Sequence, residues 1–350
     1  MNRERIRGWA APAAVLVGVG FLIAVCLSPF GDSPLEGIQV LLQGALGSRR
    51  RITESLVKTC PLLFAGLAVA LAFRTGALNI GAEGQFALGA LGAAVVGTRA
   101  GQLPPVAALS VTLLAAFVAG GVWGGIAGAL RAWRDVPEVI STIMLNFIAL
   151  FWLSALIRGP LKNPGSGLPE SAEIAETAHL PRLFEGMRLH AGLLLGGLMA
   201  IGIWALLSRT TLGFKMRAVG FNPEASEYAG YHPKRILALS LLLSGGLAGV
   251  GGGVEVCAIT FRVYDDFPSG YGYTAIAVAL LARLNPLAVL FTAFFFGALE
   301  QGAGTLQREL GVPFAMVAVV QALVILLALL LGFHRPGERG GSGSAEASQI

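Results

Sequence analysis

Residues 74–97 of the chain read RTGALNIGAEGQFALGALGAAVVG. This stretch places one acid, Glu83, and two amides, Asn79 and Gln85, among small and apolar residues. It is long enough to cross a bilayer as a helix, which takes about 20 residues. Because a carboxylate in hydrocarbon is costly, an acid there faces a partner, a wet cavity or a bundle interior. We interpret the stretch as a polar element in the translocation path of a membrane transporter, with Asn79 four residues before Glu83 and on the same helix face.

The composition is typical of a membrane protein. Of 350 residues, 55% are hydrophobic and only 13% charged, whereas soluble proteins carry about a quarter charged residues. The 48 glycines are spread through the apolar runs, which suits close helix packing. The net charge of +5 indicates basic cytoplasmic loops. Nucleic acid is excluded as a partner, since no basic run is interleaved with aromatic residues.

The apolar runs predict an all-α fold, a polytopic transmembrane helical bundle of about ten spans. These runs cover residues 9–30, 56–73, 77–97, 104–130, 139–158, 189–208, 236–258, 271–284, 286–304 and 312–333. The run at 271–284 is short, which predicts a half-span or a tilted helix. Residues 35–47 are interpreted as an interfacial helix, because a span there would move the basic 209–235 loop outside.

The distribution of lysine and arginine predicts that both chain ends lie in the cytoplasm. Residues 1–8 then form a cytoplasmic tail, residues 9–333 the transmembrane domain, and residues 334–350 a disordered cytoplasmic tail. Within the domain, residues 159–188 form an external loop and residues 209–235 a basic cytoplasmic loop.

Two rows of glycines at four-residue spacing predict close contacts between helices. The rows are Gly120, Gly124 and Gly128, and Gly245, Gly249 and Gly253. A phosphate-binding loop at the second row is a poor alternative, because no strand precedes it and no GK[ST] follows it.

Nothing in the sequence predicts catalysis. The chain has no P-loop, its four histidines lie in loops or at the edges of apolar runs, and Ser244 has no base near it. The three cysteines form no CxxC pair. We therefore expect no catalytic residue, no metal site and no cofactor held by this chain.

Residues 223–230, PEASEYAG, predict a short helix with a glycine stop. A short helix on the cytoplasmic face could dock in a cleft of a motor subunit, although a solvated loop is the plain alternative. The stretch resembles the EAA-type coupling segment of ABC importer permeases, with Glu224, Ala225 and Gly230 matching and Ser226 replacing the second alanine.

Further motifs resemble nucleoside-type permeases of the branched-chain amino acid/ribose permease superfamily. FRTGALNIGAEGQ is similar to a signature of that group. CPLLFAGLAVALAFRTG, STIMLN, AIAVALLARLNPLA and FFFGALEQG extend the resemblance over most of residues 56–333.

The resemblance implies a permease subunit of an ATP-driven importer for nucleosides or related simple sugars, in the bacterial cytoplasmic membrane. Its expected partners are a second permease subunit, ATP-binding cassette subunits that hold the ATP, an extracytoplasmic substrate-binding lipoprotein and membrane lipid. Three alternatives stay open: an ABC permease for branched-chain amino acids, an ion-coupled secondary transporter and a membrane scaffold.

The expected site residues form two groups. Asn79, Glu83, Gln85 and Asn146 are candidates for the substrate pathway, because acids and amides can match the mixed donors and acceptors of a sugar or base. Glu224, Ala225 and Gly230 are candidates for coupling to the ATPase. A purely structural acid at Glu83, and a contact between helices at Asn146, are the alternatives.

Overall fold

The computed structural model describes residues 34–265, 267, 270–311, 313, 319 and 322. Its α-helices are α1 Pro34–Leu46, α2 Arg49–Arg74, α3 Ala82–Gly97, α4 Pro105–Arg134, α5 Glu138–Arg158, α6 Gly192–Arg209, α7 Thr211–Phe221, α8 Pro223–Tyr228, α9 Pro233–Glu255, α10 Tyr271–Leu281 and α11 Pro286–Leu310. A π-helical turn, Val256–Thr260, continues α9. The predicted span at 9–30, nearly all of the one at 312–333, and both predicted tails lie outside the described residues.

The all-α prediction is confirmed for the described residues, where pairing of extended chain is limited to three isolated β-bridges. Among the described residues, six helical segments are long and apolar enough to cross a membrane: α2, α4, α5, α6, α9 with its π-helical turn, and α11. Helices α1, α3 and α10 are apolar but shorter. The figure of about ten spans therefore stays a prediction.

Contacts between loops sort the helix ends into two groups at opposite ends of the bundle. At the first, Arg188 in the 159–191 segment pairs with Glu54 of α2, at 3.4 Å. The backbone of Ala175 donates to Gly97 at the end of α3, at 3.0 Å. We call this the 159–191 end.

The opposite end carries the loops around residues 209–235. Lys234 lies 2.9 Å from Asp135, which joins the start of α9 to the end of α4. A Cβ on Gly220 would lie 2.3 Å from the carbonyl oxygen of Arg74, so α7 packs on the last turn of α2. The predicted external and cytoplasmic loops thus lie at opposite ends, while their orientation in the membrane stays a prediction.

The predicted glycine contacts are confirmed, and they join three helices. A Cβ on Gly120 would lie 2.4 Å from the carbonyl oxygen of Gly245, so α4 and α9 meet backbone to backbone. A Cβ on Gly89 of α3 would lie 2.2 Å from Cα of Gly249. A Cβ on Gly252 would lie 2.0 Å from the carbonyl oxygen of Phe86. Such close approach between apolar helices requires residues without side chains.

The prediction that residues 77–97 form one span is wrong. Residues 77–80 are non-helical, and α3 begins only at Ala82. Gly76 has a φ of +84°, which glycine adopts without strain. The side chain of Asn79 accepts a hydrogen bond from the backbone of Gly81, at 2.9 Å, and so competes with helix formation. Asn79 and Glu83 therefore do not share a helix face.

The interfacial placement of residues 35–47 stays a prediction, and the structure adds that this helix packs against the bundle. Helix α1 runs alongside α11 in the same direction, because Leu41 contacts Gly302 and Gly44 contacts Thr305. The hydroxyl of Ser55 in α2 donates to the Ala45 carbonyl at 2.8 Å. Small residues on these helices allow α1 to join the bundle, a packing cue that charge distribution does not contain.

We expect Gly252→Ala to reduce stability, because a methyl group at this position would clash with the backbone of α3 at Phe86. The matched control is Gly202→Ala on α6, where a Cβ would meet nothing within 4 Å. Thermal unfolding of the two purified variants tests this, with a loss of about 1–3 kcal/mol expected for Gly252→Ala alone. Equal unfolding midpoints for the two variants would contradict the packing described here.

Candidate functional site

Glu83 joins the amino-terminal ends of two short helices inside the bundle. It lies in the first turn of α3 and is only 3% exposed. One carboxylate oxygen accepts from the backbone N–H of Gly270, at 2.5 Å, and the other from that of Gly272, at 2.7 Å. These are N–H groups at the start of α10, which lack partners within their own helix. Glu83 is therefore a cap for α10 supplied by α3.

The location of the carboxylate is favourable because two helix amino termini meet there. A helix amino terminus carries a partial positive charge, which stabilises a nearby anion. Helix α3 has 16 residues and α10 has 11. They are therefore about 24 Å and about 17 Å long, each short of the hydrocarbon thickness. Short helices that begin inside the bundle need partners for their first N–H groups, and Glu83 provides them for α10.

The approach of α10 to α3 depends on glycine. A Cβ on Gly272 would lie 2.2 Å from the backbone nitrogen of Glu83. The preceding N-cap, Gly270, has a φ of +99°, which side-chain-bearing residues rarely adopt. The carboxylate can reach both N–H groups only because these two positions carry no side chain. We call the contact of Glu83 with Gly270 and Gly272 the α3–α10 junction.

Asn79 and Gln85 bind each other beside this junction. The Asn79 amide nitrogen donates to Gln85 Oε1 at 2.8 Å, and the Gln85 amide nitrogen donates back to Asn79 Oδ1 at 3.0 Å. Asn79 also donates to Ser244 on α9, at 2.8 Å, and Ser244 donates to the Ala68 carbonyl on α2, at 2.6 Å. Asn79, Gln85 and Ser244 are all at most 1% exposed. The pair therefore connects α2, α3 and α9 through a buried network.

Asn146 supports the same region from α5. Its Oδ1 accepts from the backbone of Gly84 at 2.8 Å, and its Nδ2 donates to the Ile80 carbonyl at 2.9 Å. The Tyr273 hydroxyl of α10 lies 3.4 Å from the same nitrogen. Asn146 thus satisfies polar backbone groups on both sides of the start of α3, which a broken helix would otherwise leave unpaired.

The structure brings all four pathway candidates together around the start of α3. Their hydrogen bonds go to protein groups, which accounts for the burial of an acid and three amides in an apolar bundle. A role in contacting substrate stays a prediction. The residues that sequence reasoning missed as site residues are Ser244, Gly270, Gly272 and Tyr273. The short 271–284 run was a signal for Gly272 and Tyr273, because it indicated a half-span, but it did not identify their partner; Ser244 and Gly270 lie outside that run.

The coupling candidates lie on α8, at the 209–235 end and far along the chain from the α3–α10 junction. The short helix predicted from PEASEYAG is confirmed as Pro223–Tyr228, capped by Asn222, whose side chain accepts from the backbone of Ala225 at 3.0 Å. Gly230 follows with a φ of +82°, as the predicted glycine stop requires. Glu224 and Ala225 are exposed, and their role in coupling stays a prediction.

We expect Glu83→Gln to destabilise the protein. An amide has one acceptor oxygen, so one of the N–H groups of Gly270 and Gly272 would face an NH₂ group instead of an oxygen. The expected loss is about 1–3 kcal/mol, measured by thermal unfolding of purified protein and by its amount in membranes. The control is Glu185→Gln, which changes an exposed acid in the 159–191 segment. A Glu83→Gln protein as stable as the control would show that the junction does not depend on the charge.

Comparison with known proteins assigns the family. Residues 51–329 match the family described as "Branched-chain amino acid transport system / permease component". The chain is 36% identical to a glucose ABC transporter permease protein of Haloferax volcanii, over 99% of this chain and 96% of that protein. It is 36% identical to a guanosine ABC transporter permease protein of Bacillus subtilis, over 92% of this chain and 90% of that protein. It is 33% identical to a nucleoside ABC transporter permease protein of Lactococcus lactis, over 89% of this chain and 88% of that protein. With a family match over most of its length and such relatives, the chain belongs to the branched-chain amino acid transport system permease family, as a multi-pass membrane subunit of ABC transporters.

Proposed function

We propose that the chain is the permease subunit of an ATP-driven importer of nucleosides or simple sugars in a cytoplasmic membrane. The observation that carries this proposal is the set of near-full-length relatives, whose names specify glucose, guanosine and nucleoside transport. The family description names branched-chain amino acids, so a permease for those is the second candidate. The relatives favour the first, because their similarity extends over nearly the whole chain.

We further propose that the 209–235 end faces the cytoplasm, with both chain ends on that side and about ten spans in all. Charge supports this orientation, since basic groups in short loops stay in the cytoplasm. At this end the basic residues outnumber the acidic ones, which are Asp135, Glu138, Glu224 and Glu227. The basic residues are Arg74, Arg131, Arg134, Arg209, Lys215, Arg217, Lys234, Arg235 and Arg283.

In this arrangement α8 is the segment that docks on the ATP-binding subunits. Its flanking aromatic side chains, Phe221 and Tyr228, are each 94% exposed, and Ser226 is the buried position of the helix. Exposed aromatic residues at the water-facing end of a membrane bundle are typical of a contact surface for another protein. ATP and its hydrolysis belong to those partners, so this chain supplies no catalytic residue and no cofactor.

Movement of α8 can reach the spans because the neighbouring contacts are rigid. A Cβ on Gly213 of α7 would lie 2.0 Å from the Leu206 carbonyl of α6, and Gly220 packs as closely on Arg74. Pro233 begins α9 directly after the Gly230 turn. A push on α8 is therefore delivered to α2, α6 and α9 together. Displacement of these helices against a second permease subunit would open the substrate path first to one side of the membrane and then to the other.

The substrate path runs, in our proposal, beside the α3–α10 junction. Glu83 and Asn146 hold the two short helices at its wall, and the Asn79–Gln85 pair fixes the non-helical segment between α2 and α3. Short helices that meet inside a bundle are a recurring feature of transport sites, because their ends offer polar backbone groups in an apolar region. An extracytoplasmic lipoprotein would deliver substrate at the 159–191 end.

Substitution on α8 tests the coupling assignment. We expect Glu224→Arg and Gly230→Leu each to abolish uptake of radiolabelled guanosine, uridine or glucose in cells that express the complete transporter. The first reverses the charge of the docking surface, and the second strains a residue at positive φ. The amount of permease in membranes should stay near that of wild type, because both positions are exposed.

The control is Gly202→Ala within α6, where a Cβ would meet nothing within 4 Å. Uptake at the wild-type rate in the α8 variants would refute the docking role. Uptake that stops with a protonophore while ATP is sustained would favour the ion-coupled alternative instead.

A further inference from the structure

A polar cluster at the 159–191 end has no role in the features described so far. Its centre is Glu255, at the last turn of α9, which is 7% exposed. Within the described part of the chain, its carboxylate makes no hydrogen bond and no ion pair within 4 Å, although it interacts electrostatically with Lys58, Arg188 and Glu300. A buried carboxylate without a bonded partner is costly and calls for a ligand or water beside it. We name this set of side chains the Glu255 cluster: Glu54, Lys58, Arg188, Glu255, Tyr271 and Glu300.

The cluster is assembled from distant parts of the fold. Lys58 of α2 pairs with Glu300 of α11 at 2.6 Å, and Arg188 of the 159–191 segment pairs with Glu54 at 3.4 Å. Lys58 and Glu300 are partly exposed, at 33% and 17% of their side chains. Five separate elements therefore contribute to one charged region: α2, the 159–191 segment, α9, α10 and α11.

The charges of the cluster select against anions. Three carboxyl groups face two basic groups, and each basic group is already paired with a carboxylate, so no free positive charge is left for an anion. Lys58 and Arg188 are each paired with a carboxylate. Glu255 is not paired among the described residues, and in its ionised form it can accept hydrogen bonds but cannot donate one. The ligand that fits such a centre is a neutral molecule with several hydroxyl donors.

An aromatic wall adjoins the cluster. Tyr271 lies in the electrostatic surroundings of Glu255 and Glu300, and its ring is 5.8 Å from that of Phe86. Phe86 in turn lies 6.1 Å from Phe267, and Phe267 lies 5.8 Å from Tyr264. Aromatic surface beside a few placed polar groups is the usual lining of a small-molecule site, and it suits a ring with an apolar face.

We propose that the Glu255 cluster is a binding site for a neutral, polyhydroxylated ring compound, such as a sugar or the ribose of a nucleoside, at its entry to the permease. The proposal rests on the importer function proposed above and names a site for its substrate. Glu255 accepts hydrogen bonds from ligand hydroxyls, Lys58 donates to a ligand oxygen, and Tyr271 contacts the ring.

The site is directly linked to the α3–α10 junction. Tyr271 stands between Gly270 and Gly272, the two residues whose N–H groups bind Glu83. Its aromatic neighbour Phe86 lies one turn after Glu83 in α3. A ligand that shifts Tyr271 therefore shifts the helix start that Glu83 holds, so occupancy at the 159–191 end is communicated to the middle of the bundle.

Concentration-dependent uptake tests the site. Cells expressing the complete transporter are given radiolabelled uridine, guanosine or glucose, and half-saturation is measured for the probe that wild type takes up. We expect Glu255→Gln to raise the half-saturation concentration about tenfold, with the maximal rate per permease in the membrane little changed, because a charge-assisted hydrogen bond is lost. Glu185→Gln, an exposed acid of the same end, should leave both quantities unchanged.

A second variant keeps the test decisive if Glu255→Gln does not accumulate. Tyr271→Phe retains the ring and removes only the hydroxyl, and we expect it to raise half-saturation about threefold. Wild-type half-saturation in every variant that accumulates would overturn the proposed site. A wild-type transporter that takes up none of the three probes would instead refute the importer function on which the site rests.

Discussion

The fold depends on a carboxylate shared between two helices that both begin inside the bundle. Glu83 belongs to α3 by sequence and to α10 by its hydrogen bonds. An apolar medium offers no water to backbone groups, so every helix that starts there must find partners in the protein. One acid satisfies two N–H groups and lies near two positive helix ends, which makes the interrupted helices possible. Asn146 and the Asn79–Gln85 pair likewise provide hydrogen-bond partners for backbone groups around the non-helical segment.

The glycines make this polar arrangement compatible with a membrane. Helices α3, α4 and α9 meet backbone to backbone, so the amide network lies between closely packed main chains and away from lipid. In water, apolar side chains drive helices together; between helices in lipid, close packing and hydrogen bonds must do so. Small residues and buried amides therefore act together: the glycines pack α3 against α4 and α9, and the amides satisfy polar groups around the start of α3.

The sequence predicted those features that depend on local pattern. Apolar run length identified six helices that could span, four-residue glycine spacing identified the α4–α9 contact, and proline and glycine bounds identified α8. The stretch around Glu83 was recognised as polar and buried, but its geometry was wrong, since residues 77–80 are non-helical. Hydropathy does not register this break, because three of its four residues, Ala77, Leu78 and Ile80, are apolar. The partners of Glu83 were unpredictable for another reason: they are backbone groups of glycines, which no side-chain pattern marks.

The separation of Glu83 from its donors also constrains how the chain is made. Gly270 follows Glu83 by 187 positions, so the ribosome must add most of the remaining protein before the carboxylate can be bound. Until then Glu83 lacks its hydrogen-bond partners on α10. Because α3 is also too short to cross the bilayer, it does not insert stably by itself. Other helices must therefore keep Glu83 away from lipid. Helix α2 is synthesised before it, and α4, α5 and α9 are synthesised between Glu83 and α10. The α3–α10 junction can therefore form only when α10 has been added, after the helices that surround Glu83 and before α11.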